Sequence, residues 1–231
     1  MVTVKAFMGF IELIAAVKFL TTFDLSFSIG YLSRDMNIAL WFLLLAMATI
    51  YLFGWIRLPR VHDGKIGQIR IGFGVVTLLL AVWIGKGLSG GNLGVIEGYL
   101  PPSPGTWEKD FLPDFDAALA KAKENGKPIF IDFTGIYCTN CRVMERTVFP
   151  SAKVQAAFSK FNKVSLYTDR TFDDHFRDSD TKNAALQQKL VGTATLPTYV
   201  IVMPDGQKVI GSKVFDGNID RFTKFLEDSA K

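Results

Sequence analysis

The feature that most constrains the fold is a charge-free run of apolar residues, Asn37 to Ile56, with Trp41, Tyr51 and Trp55 towards its ends. A helix needs about 20 such residues to cross the hydrocarbon of a bilayer, and interfacial aromatics mark its ends. Two weaker runs flank it. Val4 to Phe23 is interrupted by Lys5, Glu12 and Lys18, and Ile71 to Leu88 by Gly72, Gly74, Gly85 and Lys86. The hydrophobic fraction of 49% and the 20 phenylalanines are high for a chain wholly in water, yet beyond residue 98 the apolar residues alternate as in a soluble domain. Two solvents are therefore expected: a membrane region over 1–98 (spans about 4–23, 37–56 and 71–88), a Pro/Gly linker over 99–106 and a soluble domain over 107–231.

A cleaved signal peptide is the competing reading of the first run. Glu12 would break its apolar core, no small-x-small cleavage site follows cleanly, and further spans come after, so a retained span is preferred. Lys18 can carry its ammonium to the interface, whereas Glu12, nearer the middle, is expected to face other helices or water, as part of a polar path or, preferred, as a protonated or partnered packing residue. The loop over 57–70 holds Arg57, Arg60, Lys65 and Arg70 against Asp63, which by the positive-inside rule makes it cytoplasmic. Three crossings from an inside N-terminus would leave residues 107–231 outside, where disulfides persist. Gly90, Gly94 and Gly98 have a helix-contact spacing, but Asn92 and Glu97 argue for an exposed exit segment there. The net charge of +4, with no basic block, argues against a nucleic-acid partner.

From Thr106 the pattern is α/β. Asp114 to Asn125 is helical, with Gly126 as its stop; Pro128 to Thr134 is a buried strand; a helix opens at Cys138, breaks at Pro150 and continues from a Ser151 cap to Phe158. Lys163 to Thr168 is a strand, Arg170 to Lys182 a polar surface insertion, and Asn183 to Val191 a helix ended by Gly192. Thr198 to Met203 and Lys208 to Gly211 form a hairpin through Asp205-Gly206, and Ile219 to Ala230 is the last helix.

Both cysteines of the 231-residue chain fall at one strand-to-helix junction, in Phe133-Thr134-Gly135-Ile136-Tyr137-Cys138-Thr139-Asn140-Cys141-Arg142. A thiol at a helix N-terminus meets the positive end of the helix dipole, and such thiols ionise at about 3.5 to 7.5 rather than about 8.5. The pair reads as a dithiol redox site, with Cys138 attacking and Cys141, one turn on, resolving. Half of a zinc site, or two unrelated buried cysteines, are the alternatives. Zinc takes about four ligands, and the chain adds only His62 and His175, far apart in sequence. His175 reads as a solvated loop residue, Tyr137 as a packing or rim residue, and Arg142 as part of an electropositive rim or an ordinary surface arginine.

In order, Asp132, the Cys138-Thr139-Asn140-Cys141 site and Leu196-Pro197-Thr198 resemble the landmarks of a thioredoxin fold over about residues 107–231. The Phe-Thr-Gly-x-x-Cys-x-x-Cys-Arg form, Met144-Glu145 and Leu166-Tyr167-Thr168-Asp169-Arg170 look most like the C-terminal domain of the DsbD family of membrane thiol:disulfide interchange proteins. The preceding spans, with Phe7 to Leu13 and Lys18-Phe19, look like its last three membrane helices. The resemblance implies that Asp132 is the buried acid exchanging a proton with Cys141, its pKa raised by burial, and that Pro197 is a cis-proline set against the dithiol. It implies a protein-disulfide reductase of the bacterial inner membrane that needs no cofactor. Electrons would come from a membrane donor carrying a cysteine pair and go to periplasmic disulfide proteins, in isomerisation or cytochrome c maturation.

Two departures stand out. Family members relay electrons through a membrane cysteine pair, but residues 1–106 contain no cysteine. The expectation is that the sequence is the tail of a longer protein or half of a split system. A tethered thioredoxin reduced by a separate membrane protein is one rival, and a binding or assembly module with an incidental dithiol is another. Ser165 also stands where many thioredoxins carry a lysine near the buried acid.

Overall fold

The computed structural model describes residues 2–56, 66–102 and 110–230. Most of the basic 57–70 loop, including His62, and much of the 99–106 linker lie outside the described residues. The chain forms two compact units, residues 1–25 with 29–93 and residues 94–231 with 26–28.

The first unit is built from α1 (Val2–Ser26), α2 (Arg34–Leu52) and α3 (Gln68–Gly85). Among the described residues, three helices are long and apolar enough to cross a membrane, the third continuing through a 3-10 turn to Ser89. Several of their polar groups are paired inside the bundle. The Trp41 indole donates to the Ile14 carbonyl at 3.1 Å, Thr49 bonds Thr77 at 3.0 Å, and Arg70 donates to the carbonyls of Tyr51 and Leu52 at 2.6 and 2.9 Å. Trp41 and Tyr51 are buried among the helices. The expectation for Glu12 as a packing residue is corrected. Glu12 points away from the bundle, because the buried stripe of α1 runs through Phe10, Val17, Thr21 and Asp24 and leaves Glu12 on the exposed face.

In the second unit a five-stranded sheet has the order β1 (Phe111–Leu112), β3 (Asn162–Tyr167), β2 (Ile129–Thr134), β4 (Thr198–Val202), β5 (Val209–Val214). The first three strands are parallel, β4 runs against them, and β5 pairs antiparallel with β4. β2 is buried along its whole length, because helices cover both sheet faces. On one face Ile129, Ile131, Phe133, Val164 and Val200 pack against Ala118 and Ala122 of α4 (Phe115–Asn125). On the other face Phe130, Phe149, Phe158, Tyr199 and Phe222 interlock with ring centroids 4.9 to 6.4 Å apart. Helices α6 (Ala152–Phe158) and α8 (Ile219–Ser229) bring Phe158 and Phe222 to that cluster.

The polar stretch expected as a surface insertion is helical instead, forming the first half of α7 (Asp174–Val191). Its charges organise the helix instead of solvating a loop. Asp173 caps it by accepting from the His175 N–H, and Asp180, fully buried, accepts from the backbone and guanidinium of Arg170 at 2.7 to 3.0 Å. His175 is thus an exposed residue of the first helical turn. The Gly94–Tyr99 segment is a 3-10 turn, and Glu97, expected outside, is buried 3.9 Å from Arg146.

Candidate dithiol site

Parallel β2 delivers the chain to a tight turn at Gly135 to Tyr137, and α5 (Thr139–Val143) leaves from it with Cys138 as the N-cap. The Cys138 sulfur accepts from the Cys141 N–H at 3.1 Å, so it lies where the unpaired amides of a helix start converge. Cys138 is half-buried, Cys141 is 1% exposed, and the two are joined as a disulfide. Only Cys138 is reachable by a partner. The Leu196–Pro197 peptide bond is cis. Leu196, Tyr137, Cys138, Asn140 and Asp169 line an open depression beside the reachable sulfur.

Asp132 lies on β2 with 1% exposure, in register with Ser165 of β3 and Tyr199 of β4. The Ser165 hydroxyl donates to Asp132 Oδ2 at 3.4 Å. Beside it sits a charge pair unforeseen in the sequence. Arg142 is neither rim nor surface: it is 4% exposed, 2.7 Å from Glu145 Oε1, and donates to Thr134 Oγ1 and the Gly135 carbonyl at 3.1 and 3.2 Å. Burial lowers the Arg142 pKa, but Glu145, Tyr167 and Asp132 outweigh it and hold the guanidinium charged. Glu145 falls on a π-helical turn, Met144–Val148, that continues α5 and returns the carboxylate towards Thr134.

Asp169 is the second residue that sequence reasoning left without a role. Its carboxylate accepts from the Ile136 and Tyr137 N–H groups at 2.9 and 3.3 Å, tying the end of β3 to the turn before Cys138. Burial pushes its carboxyl pKa up, and Asp180 adds to this, while the two amide bonds and Arg142 pull it back only in part. Gly135 packs directly on that carboxylate and 3.0 Å from Leu196 Cδ1 as measured from where a Cβ would stand, so no side chain fits there. The Leu166 to Arg170 motif held the signal for Asp169, but a carboxylate reaching across to another loop has no local spacing to betray it. No group of three or more metal-ligating side chains is found among the described residues.

This arrangement can carry out one kind of chemistry with its own atoms, exchange of a dithiol for a disulfide. Residues 106–204 match the thioredoxin-like family model, so the fold and site define a thioredoxin-like domain. The chain as a whole is similar to thiol:disulfide interchange proteins named DsbD. It is 32% identical over 133 residues to thiol:disulfide interchange protein DsbD 1 of Pseudomonas aeruginosa, covering 54% of this chain and 22% of that protein. It is 26% identical to DsbD of Pseudoalteromonas atlantica over 98% of this chain and 34% of the relative. The matches thus span about a fifth to a third of the length of these relatives. Among solved structures, a DsbH oxidoreductase is similar at 17% identity and a TM-score of 0.42, over 55% of this chain and 91% of that one.

Proposed function

We propose that the chain is a membrane-anchored thiol:disulfide oxidoreductase that passes electrons to protein disulfides. The observation that carries this reading is the asymmetry of the pair: a reachable Cys138 sulfur at the start of α5 and a buried Cys141 bonded to it. In the reduced form the Cys138 thiolate attacks one sulfur of a partner disulfide, the partner's other sulfur leaves as a thiolate, and a mixed disulfide remains. Cys141 then gives its proton to Asp132 and attacks Cys138 Sγ; the partner's second sulfur leaves as a thiolate, so the partner gains two electrons as its two thiols and the Cys138–Cys141 pair is oxidised to the disulfide. Leu196, ahead of cis Pro197, offers its backbone to the partner segment at the rim.

The apolar helices α1 to α3 support the anchor, and the basic 57–70 loop supports a periplasmic domain by the positive-inside rule. Both cysteines of this sequence are used at the site. The reducing electrons therefore come from a dithiol outside it, in a membrane electron donor, and go to periplasmic disulfide proteins, those of cytochrome c maturation included. Equilibrating the full chain in detergent with glutathione buffers and counting alkylatable thiols by mass tests this. Two thiols appearing together at one potential are expected, and catalysed reduction of an added protein disulfide should vanish in Cys138→Ser. A dithiol indifferent to the buffer, or a Cys138→Ser variant of full activity, would favour a binding module.

A further inference from the structure

The buried acid needs a way to exchange its proton with water. Asp132 is enclosed on every side by packed groups. Arg142 and Glu145 face it from the α5 side as a closed ion pair, Tyr167 lies beside it on β3, and Tyr199 faces it from β4. Tyr199 is a poor outlet: it is fully buried in the aromatic cluster, and burial together with the Asp132 and Glu145 charges holds its hydroxyl protonated.

Ser165 is different. Its hydroxyl reaches Asp132 on one side, it is only half-buried, and on the other side it lines a cavity of about 400 Å³. The cavity follows from the sheet. β1 is two residues long and pairs with Lys163 and Val164, so among the described residues the edge of β3 has no neighbouring strand from Ser165 onwards. Pro113 and Asp114 turn the chain away, and α7 closes the far side with Ser179 and Asn183. Arg170 and Tyr167 add polar walls, and the space is wide enough for several waters, each of which needs two to four polar partners.

We propose that Ser165 and this cavity are the proton port of Asp132. The proposal rests on the reading of Asp132 as the acid that takes the Cys141 proton. Before Cys141 attacks, Asp132 passes its proton to Ser165 Oγ, which releases its own to a water in the cavity; the emptied carboxylate then takes the Cys141 proton from Sγ. The reverse sequence supplies the proton when the disulfide is reduced. The 3.4 Å separation suits a resting state, since catalytic hydrogen bonds are often long before the reacting complex forms.

The test uses the reduced full chain in detergent and a chromogenic aromatic disulfide, dithiobis(nitrobenzoate). The first release of thiolate reports attack by Cys138, and the second reports resolution by Cys141. Ser165→Ala should leave the first release unchanged and slow the second about tenfold or more, and Ser165→Thr should restore it. In Ser165→Ala the second release should also become proportional to hydroxide, which loss of packing alone would not produce. Asp132→Asn should slow the second release at least as much. A wild-type second release in Ser165→Ala with a slow one in Asp132→Asn would overturn the port and leave the acid standing. A wild-type second release in Asp132→Asn would overturn both.

Discussion

Arg142 and Glu145 form a 2.7 Å ion pair that is almost wholly buried beneath the dithiol, on consecutive turns of one interrupted helix. Removing one partner of such a pair strands the other charge and costs about 3 to 5 kcal/mol, whereas replacing both by apolar groups costs far less. Arg142→Met should therefore destabilise the C-terminal domain by that amount, and Arg142→Met with Glu145→Leu should recover most of it. Pulse proteolysis in a urea series measures both.

Asp216 is also buried, but its partner Arg221 stays mostly in solvent. Burial pushes its carboxyl up, but Arg221, the Asn218 N–H and Lys213 together hold it down to about 2. A depressed carboxyl stabilises the fold above its unfolded value of 3.8, and that stability is lost as pH falls from there through about 2. With Arg221 mostly in solvent, the contribution is on the order of 1 kcal/mol. Asp216→Asn should flatten the stability profile in that window.

Asp169 should show the reverse slope. Its carboxyl is raised, so the folded chain binds a proton more readily than the unfolded one just above the ordinary carboxylate value of 3.8. Its effect on stability falls as pH rises through that window, and Asp169→Asn should remove the slope. Asp169→Ala should also cost about 1 to 3 kcal/mol, because it strands the Ile136 and Tyr137 amides. Carboxyl NMR titration and urea unfolding across pH check these two effects.

Gly98 presses on the first turn of α5. A Cβ there would stand 2.9 Å from the Thr139 carbonyl and 3.1 Å from Val143 Cγ2. Gly98→Ala should shift the turn carrying Cys138 and lower its alkylation rate roughly threefold or more, since small displacements of a reacting group are costly. Parallel alkylation of the reduced wild type gives the reference rate.

The elements carrying the dithiol were legible because their signals are local. Asp114, Ser151 and Gly126 stand at helix ends as their side chains or lack of one dictate, and the β-branched run before Cys138 is buried β2. What escaped is non-local. A carboxylate-rich stretch reads as solvated until Arg170 is seen to neutralise Asp180. Glu97 and Arg142 look like surface residues until Arg146 and Glu145 close on them. The two-residue β1 is too short to leave a period, yet its shortness opens the cavity behind Ser165.

The central claim is that Cys138 attacks and Cys141 resolves. Reduced Cys141→Ser chain mixed with an oxidised protein substrate, quenched in acid and run without reductant, tests it directly. A stable mixed disulfide that maps to Cys138 is expected, with none formed by Cys138→Ser. No adduct in Cys141→Ser, or an equal adduct through Cys141 in Cys138→Ser, would contradict the account.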